Sequence, residues 1–82
     1  MTKNEFKKIF KKTKSEWDGD NAYQGLQIIA KYTEYLIQGA EHDVIFSEDI
    51  DVLIKKGIIK EDVTKLARLN WSIEFDRLIC YV

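Results

Sequence analysis

The stretch WSIEFDRLICYV, Trp71 to Val82, decides the fold class. Trp71, Ile73 and Phe75 alternate with Ser72, Glu74 and Asp76, the period-two pattern of a strand with one buried face. Leu78 to Val82 is a second extended run. Leu78, Cys80 and Val82 share one side, Ile79 and Tyr81 the other, and both sets are apolar. That predicts a strand covered on both faces or facing a partner. Asp76-Arg77 is the expected hairpin turn, without the glycine that such turns favour. Asp43-Val44-Ile45-Phe46-Ser47 is the one earlier stretch that reads as a strand, β-branched and aromatic.

The remaining segments carry helical periodicity. Thr2 and Glu5 form a T-x-x-E capping box at the start of a first helix. At about 100° per residue, Phe6, Ile9, Phe10, Thr13 and Trp17 share one arc, and Lys7, Lys8, Lys11, Lys12 and Lys14 the opposite one. Glu16 to Asn21 is a turn, with Asp18 or Asp20 as the next N-cap. A second helix is expected from Asn21 to Gln38, stopped by Gly39. Gln24, Gln27, Lys31, Glu34 and Gln38 make a narrow polar stripe on it. The rest of that wheel is apolar, so this helix is expected at the centre, with Gly25 admitting a close neighbouring backbone. Ser47 is expected to cap a third helix that ends at Gly57. A fourth runs from about Glu61 to Leu69, with Asn70 as its left-handed stop. The order α-α-β-α-α-β-β predicts an α+β fold, about four helices on a small two- or three-stranded antiparallel sheet.

Composition narrows the class. The chain has 82 residues, 45% hydrophobic and 33% charged, with ten aromatics. There is no proline, low-complexity linker or internal repeat, so residues 1–82 read as one domain. The single cysteine, Cys80, allows no internal disulfide and suits a reducing compartment. The start MTKNEF has no apolar export segment and no run approaches membrane length, so a cytoplasmic location in a bacterial host cell is expected, with no membrane partner.

Residues 43–82 carry the pattern D-V-I-F-S, L-I-x-x-G-I, E-D-V-x-x-L-x-x-L-N-W-x-I and L-x-x-Y-V. This resembles the C-terminal part of small uncharacterised phage and prophage proteins over about half the chain. Lys60 departs from it, standing where Thr or Ser would cap the fourth helix. The resemblance implies an origin in a mobile element. Proteins of that kind often bind and block a host component, including CRISPR effectors and other defence enzymes.

Charge is distributed unevenly. Residues 1–14 hold six lysines against Glu5, a local balance of +5, and the rest of the chain balances at −6. The asymmetry points to a charged partner rather than to chemistry. Glu41, Asp43, Glu48, Asp49 and Asp51 fall in an eleven-residue segment with no Lys or Arg. Such a surface is expected to dock on a host protein with a basic groove by charge complementarity. The alternative is the basic face Lys7, Lys8, Lys11 and Lys12, which suits a nucleic-acid backbone. Clustered acids also serve helix N-termini, and lysine faces are often only solvated.

Catalytic signals are poor, and no enzyme, cofactor or metal is expected. His42 is the sole histidine, and one His with a distant Cys makes no zinc site. Asp18-Gly19-Asp20 has a calcium-loop flavour, but Ile29 stands where the bidentate carboxylate belongs. No Walker loop, G-x-G-x-x-G or G-x-S-x-G is present. Cys80 has no adjacent base. Trp17 is either a core residue or an exposed binding anchor.

Overall fold

The computed structural model describes residues 1–16 and 19–82. The roles expected of Trp17 and Asp18 lie outside the described residues. Four helices and four strands follow in the order α1 (Lys3–Lys12), α2 (Asn21–Ile29), β1 (Gly39–Glu41), β2 (Val44–Asp49), α3 (Ile50–Lys55), α4 (Lys60–Arg68), β3 (Ser72–Glu74) and β4 (Arg77–Tyr81). The sheet is antiparallel throughout, ordered β1-β2-β4-β3. The class is α+β, as the alternation of periods predicts. The strand count is higher than expected by one, because Gly39, expected as a helix stop, opens β1.

Helix α1 begins with the capping box that its sequence announces. Thr2 Oγ1 accepts from the Glu5 amide at 3.1 Å, and Glu5 Oε1 accepts from the Thr2 amide at 3.0 Å. Phe6 is fully buried and stacks on Phe10, with centroids 5.7 Å apart. Asp20 caps α2 by accepting from the Tyr23 amide. Phe6, Ile29, Ile50, Leu53, Val63, Leu66, Trp71, Leu78 and Cys80 form one core between the helices and one face of the sheet. Ile79, on the other face of β4, is also buried, flanked in register by Phe46 and Ser72. β4 is therefore buried on its inner face and at Ile79 on its outer face, while Tyr81 on that outer face stays 55% exposed.

The second helix is half its expected length. Three long-range bonds compete with the helical ladder beyond Ile29. Tyr32 Oη donates to Asp62 Oδ2 at 2.5 Å, Thr33 Oγ1 donates to Glu48 Oε2 at 2.9 Å, and the Leu36 carbonyl accepts from Ser47 Oγ at 2.5 Å. One draws residues 30–38 toward α4 and two draw them toward β2, so the segment is loop despite its helical period. The central role expected of the second helix passes to β4 and α4.

Ser47 is not a helix cap. A register shift between Phe46 and Asp49 bulges β2 and turns Ser47 and Glu48 inward. Asp49 caps α3 instead, accepting from the Asp51 amide at 3.0 Å. Gly57 ends this segment at φ +89°, where glycine is unstrained, and Asn70 adopts φ +65° after α4. The β3–β4 turn is Phe75-Asp76, one residue earlier than expected, because Glu74 pairs with Arg77.

Asp62 is only 1% exposed, at the first turn of α4. Lys31 Nζ reaches both of its oxygens at 3.2 Å, and Tyr32 bridges it to the Ile59 amide. Ile59 supplies no side-chain cap of its own, so the Tyr32 hydroxyl serves that end of α4. Burial, and then Asp62 beside it, push the Tyr32 hydroxyl above its ordinary pKa. Lys31 belongs on a solvated stripe by its sequence, yet it holds a buried carboxylate. Lys31→Ala is expected to cost about 1–2 kcal/mol, below a fully buried pair because the lysine is half exposed. In an Asp62→Ala background the same change should cost under about 0.5 kcal/mol. Equal costs in both backgrounds, measured by urea unfolding, would show that the pair does not stabilise the fold.

Candidate functional site

The two charged surfaces of the sequence meet in the fold. Lys3 Nζ lies 3.3 Å from Asp51 and 3.0 Å from Asp76, and Lys7 Nζ lies 2.7 Å from Asp76. Lys7 and Lys3 hold the Asp76 carboxyl below its usual range, and Asp76 and Asp51 raise Lys3 in turn. Exposed pairs of this kind add little stability, but they cancel each other's field toward a partner.

The acidic segment is divided between exposed and structural positions. Glu41 and Asp43 are exposed at the β1–β2 hairpin. Glu48 is 5% exposed. Burial raises its pKa, but bonds from the Asp49 amide, Gln38 and Thr33, with Arg77 nearby, outweigh that and leave it lowered. It is thus an ionised structural group, not a contact residue. Asp49 is half-buried and capping, and Asp51 is paired with Lys3. The fold scatters the five acids expected to act together.

The basic residues converge instead. Helix α1 packs beside α4, and the groove between them, about 270 Å³, is lined by Glu5, Lys8, Ile9, Lys12 and Lys60. Lys60 continues into a second groove along α4 with Glu61, Thr64, Lys65 and Arg68. Lys65 and Arg68 continue into a third, about 400 Å³, between α4 and α2, where Gln24, Gln27, Ile28 and Lys31 complete the wall. Five cations beside Lys31, which is tied to the buried Asp62, thus line one continuous surface with two acids, Glu5 and Glu61. Among the described residues, no ion pair engages Lys8, Lys12, Lys65 or Arg68. Lys60 has only a 4.0 Å contact with Glu5.

Of the basic face read from the sequence, Lys8 and Lys12 belong to this surface. Lys7 and Lys11 lie on the other flank of α1, beside a groove lined by Phe10, Trp71, Ile73 and Phe75. Sequence reasoning missed Lys60, Lys65 and Arg68. A helical wheel of α4 places Lys65 and Arg68 on its polar side, but only the α1–α4 packing joins them to the first helix. His42 is exposed in the β1–β2 turn at φ +51°. Cys80 is buried, and that burial, with Asp20, raises its pKa above the ordinary thiol value although Asn21 partly offsets it. Among the described residues no cluster of His, Cys, Asp and Glu has the makings of a metal site. No helix of the described residues is long and apolar enough to cross a membrane.

The chain matches no known protein family, no curated protein and no solved structure.

Proposed function

We propose that this protein is a non-enzymatic binding protein that holds a nucleic-acid backbone on its α1–α4 face. The supporting observation is the run of three merged grooves with Lys8, Lys12, Lys65 and Arg68 unengaged by any described acid. Spaced cations on a rigid helix pair suit phosphates, and shallow open grooves suit a strand more than a small molecule. The near-neutral total charge does not oppose this, because Lys8, Lys12, Lys60, Lys65 and Arg68 are gathered on one face with only Glu5 and Glu61 among them.

Binding of a labelled oligonucleotide, followed by fluorescence anisotropy between about 50 and 200 mM salt, tests it. Four phosphates neutralised would give a log–log salt slope of about −3 for a single strand. The variant with Lys8, Lys12, Lys65 and Arg68 all changed to Ala should lose that binding while unfolding at a similar urea concentration. Reversing Glu41 and Asp43 to Lys should not weaken it. Full affinity in the four-site variant would refute the assignment of this face.

A host protein, such as a defence nuclease or CRISPR effector, is the alternative partner, in keeping with a phage-type origin. It is favoured by the outer sheet face, where Val44 and Phe46 are half-buried and Tyr81 is 55% exposed, with Glu41 and Asp43 at the rim. Exposed apolar area of that kind suits protein contact. Loss of partner capture on reversing Glu41 and Asp43, with no oligonucleotide bound by the unaltered protein, would favour this alternative.

A further inference from the structure

Phe75 is 92% exposed, the most solvent-open of the large apolar side chains among the described residues. It is also strained. Phe75 and Asp76 form the two-residue β3–β4 turn at φ +51° and +58°. Such a turn favours Asn and Gly, and Asp tolerates it, but a bulky aromatic does not. The ring buries almost nothing in return, so the fold gains little by having Phe there. Strain without a packing reason points to use by a ligand.

The turn is firmly held. The Asp76 carbonyl accepts from the Ile50 amide at 2.9 Å, and the Asp76 carboxylate is gripped by Lys7 and Lys3. The ring therefore stands on a fixed tip. It rims the groove of about 570 Å³ that also contains Phe10, Trp71, Ile73, Lys7 and Lys11. Lys7 and Lys11 occupy one flank of α1, and Lys8 and Lys12 the other, toward α4. A strand laid over α1 would have phosphates among Lys8, Lys11 and Lys12, and Lys11 lies on the same flank of the helix as Phe75.

We infer that Phe75 is a stacking platform for an unpaired nucleobase, which makes single-stranded nucleic acid the preferred ligand. This rests on the polyanion reading of the α1–α4 face. Exposed aromatics beside a cationic track are how proteins hold single strands without reading sequence, because every base has a π-face. A duplex keeps its bases stacked inside and gives the ring nothing to lie on.

The test compares the unaltered protein with Phe75→Gly and Phe75→Trp. Anisotropy is read on a labelled oligothymidine of about 20 nucleotides and on a duplex of equal length. Thermal melting is read on all three proteins. Phe75→Gly should raise the Tm, since glycine accepts a positive φ, yet weaken single-strand binding about tenfold and duplex binding less than about twofold. Phe75→Trp should keep single-strand affinity, and its fluorescence should be quenched by the bound bases. A lower Tm for Phe75→Gly would show that the ring serves the fold and would overturn the inference. So would equal single-strand affinity in every variant, the result expected if Phe75 anchors a protein partner; the backbone-binding proposal would survive that result. Failure of the unaltered protein to bind either form would remove both together.

Discussion

Gly25→Ala should destabilise the protein by about 3 kcal/mol or more, although alanine is the better helix former by about 1 kcal/mol. A Cβ at position 25 would overlap Nε1, Cε2 and Cζ2 of Trp71. The indole cannot easily yield. It is 3% exposed, lies within the core, and donates its Nε1 hydrogen to the Asn21 carbonyl at 3.0 Å. Moving it would leave a buried donor unpaired and open a void on its far side. Urea unfolding measures the loss. Combining Gly25→Ala with Trp71→Leu should cost less than the two single changes added, because the clash then has no ring to meet. A gain in stability from Gly25→Ala alone would mean that the indole is not seated on this glycine.

Phe6→Ala should cost about 3–5 kcal/mol, a large fraction of the roughly 5–15 kcal/mol that a domain holds in total. Phe6 is the fully buried residue of α1, and its loss also removes the stack on Phe10. A ten-residue helix has little stability alone in water, so α1 depends on that anchor. The functional consequence follows. With α1 loosened, Lys8 and Lys12 lose their fixed spacing from Lys60, and oligonucleotide affinity should fall together with helical circular dichroism. Lys12→Ala, by contrast, should change stability by less than about 0.5 kcal/mol. Comparable melting temperatures for Phe6→Ala and Lys12→Ala would show that α1 is not held by its apolar face.

Legibility in the sequence followed the range of the forces involved. The α1 cap, the Gly57 and Asn70 stops, the extended run of β4 and the buried face of α4 are local or periodic signals, and they appear as expected. Phe75, which the period-two pattern sets on the buried face of a strand, instead lies in the turn and is 92% exposed. The overlong second helix failed because its apolar period is compatible with helix, while Tyr32, Thr33 and Leu36 bond to distant residues. Ser47 failed as a cap because a bulge, which depends on the register with β4, turned it inward. The same bulge removed Glu48 from the surface.

By itself, the sequence determined an α+β class, the lysine-rich face of the first helix and the absence of familiar catalytic motifs, because composition, period and capping residues act within a few positions along the chain. Only the tertiary structure decided which charges remain open to a partner. Lys3 and Lys7 meet Asp51 and Asp76 across more than forty intervening residues, and Lys8 and Lys12 meet Lys60, Lys65 and Arg68 across a helix–helix packing. Electrostatic fields depend on distance in space rather than along the chain, so the clustered basic surface exists only once α1 has docked on α4.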